Sequence, residues 1–281
     1  MERVWFITNR ASGSASAEKC EALEAVFEER GLALAGRTDF PEEAIPTASH
    51  LAGANADTIV LFAGDGTINA ALCKLAEWDG GFLILPGGTM NLLAKALHAS
   101  LDPAEIIHAA HDGGRLVPLP FVEAGPHRAF AGLIVGPAAH WGRAREAARN
   151  GQAARVLTLI GNAWRRTFGK GLRVSGVPGM TRRYQAVFVH PAEHALEVAA
   201  VDARDIRSIA ALGWDWLTGD WIAARAVTYR RSERLRLAAR RPVLALFDGE
   251  PATLAANAEI TGGITRPIFV TTVPHIEKAA A

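Results

Sequence analysis

The sequence predicts an α/β domain followed by a mostly antiparallel β domain. Over residues 3–115 the apolar positions alternate between strand-like runs and helix-like runs, the order expected of a parallel sheet covered on both faces. From about Arg115 onward, strand-like runs follow one another across turns, which reads as antiparallel pairing. A length of 281 residues is sufficient for two modest cores. The predicted division is 1–115 for the α/β domain and 116–265 for the β-sandwich domain, and residues 266–281, with the strand-like run PIFVTTV (267–273), can join the first.

Taken in order, the first domain opens on VWFIT (4–8). A helical stretch from Ser16 to Arg30 then carries Cys20, Leu23 and Phe27 on one face, with Gly31 as its stop. The runs LALAGRT (32–38), TIVLF (58–62) and FLILP (82–86) are strands, separated by a helix near 42–54 and by INAALCKLAEW (68–78). MNLLAKAL (90–97) is a further helix. In the second domain the strand-like runs are 115–124, 127–135, 184–190, 196–201, 225–239 and 241–247. Two helix-like pieces interrupt them, AARVLTLIGNAWRRTF (153–168) and DIRSIAALGWDWLTG (205–219).

Composition narrows the class. Charged residues make up 21% and apolar residues 49%, as in an ordinary globular protein, and the net charge of +1 conceals an uneven distribution. Residues 1–115 hold 8 Lys/Arg against 16 Asp/Glu, whereas residues 141–183 hold 10 Lys/Arg against the single Glu146. No apolar run reaches the roughly 18 residues of a membrane span, so a cytoplasmic protein is expected. Cys20 and Cys73 both fall in helix-like patterns without metal-ligand spacing and are expected as buried, reduced thiols.

Three glycine-containing turns end strands and open helices: TNRASGSA (8–15), AGDGTINA (63–70) and PGGTMNLL (86–93). Backbone N–H groups at a helix start, with glycine permitting close approach, favour an anion such as phosphate. Three such turns at the carboxyl ends of strands coincide with the ligand end of open α/β sheets. A carboxylate beside a phosphate repels it unless a cation lies between them, so Asp65 points to nucleotide-bound Mg²⁺; the alternative is a cap on the helix that begins near Ile68. Neither GxGxxG nor GxxxxGK[ST] is present at these turns, which disfavours Rossmann dehydrogenases and P-loop enzymes. Downstream, FDGEP (247–251) places Asp248 and Glu250 just after an apolar run, suited either to a carboxylate beside a nucleophilic hydroxyl or to an Asp-Gly hairpin turn.

The set NRASG (9–13), GDGTIN (64–69), PGGTMN (86–91) and FDGEP (247–251) resembles the diacylglycerol kinase catalytic-domain family, which includes bacterial lipid kinases, sphingosine kinases and ceramide kinases. The resemblance implies an ATP-dependent lipid kinase with an α/β nucleotide domain related to that of NAD kinases and phosphofructokinases, joined to a β-sandwich. It further implies that Asn9, Arg10, Ser12, Gly13 and Thr38 contact the nucleotide. Ala63, Gly64, Asp65, Gly66, Thr67 and Asn69 would cradle its phosphates, with Gly88, Thr89 and Asn91 alongside and Asp65 holding Mg²⁺. Asp248, or in its place Glu250, would orient or deprotonate the lipid hydroxyl. The sequence departs from the family pattern at Ala63, where Gly is common, and at Leu92, where Asp is common. Glu193-His194-Ala195-Leu196 is the nearest match to a structural metal segment, Asp-Gly-x-Leu, of many bacterial members.

The expected partners follow from the same reading. The substrate is a membrane lipid, and the basic 141–183 segment would dock on an anionic bilayer, each cation contributing on the order of 1 kcal/mol near the surface. The protein is then cytoplasmic and peripheral at the inner membrane face. The basic segment carries few aromatics and the other domain is acidic, so no nucleic acid is expected. His108 and His111, spaced i, i+3, are expected at the surface, and Trp214, Trp216 and Trp221 in a core. Two rivals remain: an NAD kinase-like enzyme with a soluble acceptor, and a catalytically silent lipid binder.

Overall fold

The computed structural model describes residues 1–10, 15–136, 171–201 and 227–273. Ser12, Gly13, both helix-like pieces of the second domain and the three clustered tryptophans lie outside these residues. The described chain forms two compact units, one of Met1–Leu119 together with the strand end from Ile264 onward, the other of Pro120–Gly263.

The first unit is a parallel sheet in the order β2 (Ala33–Asp39), β1 (Arg3–Thr8), β3 (Thr58–Ala63), β4 (Gly81–Pro86). Every residue of β3 and β4 is buried, which matches their continuous apolar runs. Helix α1 (Ala17–Glu29) starts where the Ser16 hydroxyl accepts the Lys19 N–H at 3.3 Å and ends before Gly31, whose φ of +67° suits a residue without a Cβ. Its buried face, Cys20, Leu23 and Phe27, packs on Phe6, the rings of Phe6 and Phe27 meeting edge-on at 5.2 Å. A helix not assigned from the sequence, α5 (Pro103–Gly113), adds Ile106, Ile107 and Ala110 to the same core cluster. Each such aliphatic or aromatic side chain contributes about 1.5–3 kcal/mol on burial.

On the alternate positions of the pleat, Phe82 meets Trp78 and stacks on Phe269, with both centroid distances 5.4 Å. The helix expected near 42–54 is confined to α2 (Ala48–Gly53), capped by Thr47, because Pro41 and Pro46 each remove an N–H from the stretch before it. Helix α3 (Asp65–Lys74) begins three residues before the expected Ile68, and α4 (Leu92–Leu97) follows the third glycine turn.

The second unit contains a six-stranded antiparallel sheet, ordered β11 (Val227–Ser232), β10 (Ala195–Val201), β9 (Ala186–Ala192), β7 (Leu133–Val135), β13 (Val243–Phe247), β14 (Glu250–Leu254). Leu133, Val187, Val189, Leu196, Val198 and Phe247 from its inner face share a core with Val174 of β8 (Arg173–Ser175) and Leu235 and Leu237 of β12 (Arg234–Ala238). β5 (Arg115–Ala124) forms a hairpin with β6 (His127–Ala129). β15 (Glu259–Thr271) pairs antiparallel with β12 through Glu259–Thr261, and parallel with β4 through Ile268 and Phe269. The protein is thus an α/β unit plus an antiparallel β unit.

Candidate active site

Three turns leave the carboxyl ends of β1, β3 and β4, and they are locked to one another. Asn9 Nδ2 donates to Thr67 Oγ1 at 2.8 Å, joining the first turn to the second. Asp65, first residue of α3, turns its carboxylate to the third turn: Oδ2 accepts the Asn91 N–H at 3.0 Å and Oδ1 the Leu92 N–H at 2.7 Å. The capping alternative is therefore realised on a different helix, since these amides open α4. Burial raises the Asp65 carboxyl above its ordinary value, outweighing the two amide donors that favour the charged form.

The glycines of the third turn are required by the second. A Cβ on Gly87 would lie 2.6 Å from Ala63 N and 2.8 Å from Ala63 Cα, and one on Gly88 2.7 Å from Gly64 Cα. Gly87 N–H donates to the Ala63 carbonyl at 3.2 Å, so the two backbones touch directly. Asn91 closes the turn on itself at φ +51°, its Oδ1 accepting the Gly88 N–H at 2.8 Å and its Nδ2 donating to the Gly88 carbonyl at 3.0 Å. Ala63 is fully buried at this seam, whereas Thr89 is exposed. Asn69 and Gly66 are half-buried on α3, and Asn69 Oδ1 lies 3.5 Å from Sγ of the half-buried Cys73.

Beside the first turn lies a polar cluster that the sequence reading missed. Asp39, the last residue of β2, accepts the Thr8 hydroxyl at 2.7 Å, Arg37 Nε at 3.2 Å and Arg10 Nη2 at 3.1 Å. Burial works to raise this carboxyl, but the Thr8 hydroxyl and the Arg37 and Arg10 guanidiniums outweigh it and hold it below the ordinary range. Arg10 itself is exposed. Thr38 is buried, and its Oγ1 accepts the Trp5 indole N–H at 3.0 Å.

In the second unit, Asp248 and Gly249 form a two-residue hairpin loop between β13 and β14, with φ of +50° and +89° and Phe247 paired to Glu250. Both residues at positive φ is the signature of a type I′ turn. The Asp248 carboxylate is buried and accepts three backbone donors, Phe130 at 2.9 Å, Ala131 at 2.8 Å and Gly132 at 2.9 Å. These charge-assisted bonds fix its orientation. Glu250, exposed, begins β14.

Other expectations resolve locally. Glu193 and His194 are the two loop residues of the β9–β10 hairpin, closed by the Ala192–Ala195 pair. Among the described residues no group of three His, Cys, Asp or Glu side chains could hold a metal. His108 accepts Arg30 Nε at 2.6 Å on α5. A Mg²⁺ carried largely by nucleotide phosphates needs only one or two protein carboxylates; both Asp65 oxygens here accept a backbone N–H, each keeping a further lone pair for such an ion.

Residues 3–117 match the family model described as diacylglycerol kinase catalytic domain. Among solved structures the chain is similar to a diacylglycerol kinase from Bacillus anthracis str. Sterne, at 14% identity and a TM-score of 0.64, covering 100% of this chain and 98% of that one. A second structure from the same source, "a putative diacylglycerol kinase", is 16% identical with a TM-score of 0.70, covering 96% of this chain and 97% of that one. At these identities the likeness establishes a shared fold. No curated protein matches the chain.

Proposed function

We propose that the protein is an ATP-dependent lipid kinase that transfers the γ-phosphoryl group to the hydroxyl of a diacylglycerol-like or sphingoid lipid. The observation that carries this reading is the interlocked set of turns at the ends of β1, β3 and β4, in a domain of a kinase family. Gly64 opens α3 without a side-chain cap, and the positive end of that helix suits an anionic phosphate. On this reading Asn9, Arg10, Thr67, Thr89 and Asn91 would contact the nucleotide around the same turns, and Asp65, the carboxylate at the start of α3, would hold the phosphate-borne Mg²⁺. Bound ATP and Mg²⁺ would supply the phosphoryl group and neutralise its charge. The chain's own part is positioning: Asp248, held by three amides, orients or deprotonates the acceptor hydroxyl, and Glu250 is the alternative for that step.

The setting we propose is the inner membrane face. Among the described residues no helix is long and apolar enough to cross a membrane. Of the basic 141–183 segment, Arg173, Arg182 and Arg183 are described and exposed, as docking on anionic head groups requires.

The test is incubation of the purified protein with γ-labelled ATP, Mg²⁺ and a bacterial lipid extract supplemented with diacylglycerol and ceramide, followed by separation of labelled products. A labelled lipid that disappears with Asp65→Ala and Asp248→Asn supports the reading and names the acceptor. ATP binding with label only in a water-soluble product, or in none, overturns it in favour of a soluble acceptor or a silent lipid binder.

A further inference from the structure

We infer that His190 is a positioning residue for Asp248, acting through the peptide group that joins Ala131 to Gly132; this rests on the reading of Asp248 as the carboxylate at the acceptor hydroxyl. His190 lies in β9, and its Nδ1 stands 2.9 Å from the Ala131 carbonyl oxygen. A carbonyl only accepts, so Nδ1 carries the proton. That carbonyl and the Gly132 N–H belong to one planar peptide unit, and the same N–H donates to Asp248 Oδ1 at 2.9 Å. Imidazole, peptide and carboxylate therefore form a continuous chain of hydrogen bonds. Donation into the carbonyl polarises the peptide and strengthens its N–H as a donor, by about 10–30% per bond.

The backbone explains why this support is needed. From Leu133 onward the segment is held by ladder pairing, Leu133 to Val189 on one side and to Phe247 on the other. Residues 130–132 precede that pairing and are gripped by two side chains, His190 at the Ala131 carbonyl and Asp248 at the three N–H groups. Asp248 returns one further bond, its own N–H donating to the Gly132 carbonyl at 3.0 Å. The position of the carboxylate is thus set by a loop whose far side is held by His190. Across the β9–β10 ladder, His190 faces Glu197, which Arg231 Nη2 holds at 2.5 Å and which gives the imidazole a fixed anionic neighbour.

The test compares His190→Leu with His190→Asn in the full chain. Leucine fills the space without a donor, whereas the asparagine amide nitrogen stands close to where Nδ1 was. With labelled ATP and lipid, His190→Leu should lower kcat about tenfold to a hundredfold, as displacement of a reacting group does, with KM for ATP unchanged. His190→Asn should recover most of that loss. Hydrogen–deuterium exchange of the peptide covering 130–132 should quicken in His190→Leu and stay near wild type in His190→Asn. Unchanged exchange and turnover in His190→Leu overturn the inference, as does an equal loss in both variants. Should Asp248→Asn retain full turnover while exchange responds to His190→Leu, the failure lies in the role given to Asp248, and the exchange result alone decides whether His190 holds the loop.

Discussion

Asp65 and Leu92, 27 residues apart in sequence, are joined by a 2.7 Å hydrogen bond from the Leu92 N–H to Asp65 Oδ1. Position 92 is where the family resemblance leads one to expect an aspartate. The backbone of that position makes the contact, and a backbone N–H is available whatever the side chain. The GDG carboxylate therefore has a structural task in this chain, bracing the third turn, alongside whatever it offers a cation. A hydrogen bond to a charged group contributes about 1.5–3 kcal/mol.

That task has a pH signature. The folded-state pKa of Asp65 lies above its ordinary value because burial outweighs the amide donors. A carboxyl shifted upward contributes stability that is complete below its unfolded pKa and is lost as pH rises through the folded one. Wild type should accordingly lose melting temperature relative to Asp65→Asn as pH is raised from about 3.8, and the difference should level off toward neutrality. A wild type that gains on Asp65→Asn over this range would show that the amides dominate.

Gly87 is a packing requirement of the third turn. A methyl group there would press on backbone atoms of Ala63 at 2.6 and 2.8 Å, which cannot rotate away. Gly87→Ala should cost about 1–3 kcal/mol in urea unfolding and lower ATP affinity by shifting the third turn. Gly53, at the end of α2, has open space within 4 Å of where a Cβ would stand. Gly53→Ala is the matched control, neutral or stabilising by up to about 1 kcal/mol. Equal losses at both sites would refute the close-approach account.

The alternation of strands and helices in the first unit is legible because β3 and β4 are buried on both faces and so read as unbroken apolar runs. What periodicity misses depends on contacts distant in sequence. The run 127–135 reads as one strand, yet the chain breaks between β6 and β7 where residues 130–132 bind Asp248, 116 to 118 residues away. The early start of α3 was hidden by Gly64 and Gly66, which read as turn residues. Asp39 is not legible from periodicity because its partners Thr8 and Arg10 belong to a different strand end, although a carboxylate closing a strand at the carboxyl edge of the sheet is a usable signal. Asp102-Pro103, a capping residue followed by proline at the first helical position, marked the start of α5.

Asp248 separates structural from chemical roles in a way two substitutions can resolve. Asparagine tolerates the φ of +50° and retains one acceptor oxygen, so Asp248→Asn should fold. If it acts at the reacting hydroxyl, turnover should fall by about 10²–10⁴ with little change in KM for ATP. Asp248→Ala leaves the Phe130, Ala131 and Gly132 N–H groups without their carboxylate and should cost about 3 kcal/mol or more in unfolding free energy. An alanine variant as stable as wild type would show that these three bonds do not hold the loop.

His98 supplies a second pH dependence, opposite in sign to that of Asp65. It follows α4, is buried, and has Nδ1 3.3 Å from Thr272 Oγ1. Burial pushes the imidazole down to about 4, against the opposing pull of the Ile84 carbonyl. The unfolded chain takes up this proton near pH 6.5, and the folded chain only near pH 4. Its stabilising contribution is therefore complete above pH 6.5 and is lost as pH falls toward 4. At about 1.36 kcal/mol per pH unit this amounts to roughly 3 kcal/mol across the window. His98→Phe removes the titration while filling the site, and the two proteins differ in no other ionisable group. The difference in their unfolding free energies, measured by denaturant titration at intervals across that window, should therefore follow a single proton. A wild type and variant whose stabilities fall in parallel would mean that His98 reaches solvent and titrates normally in the folded state.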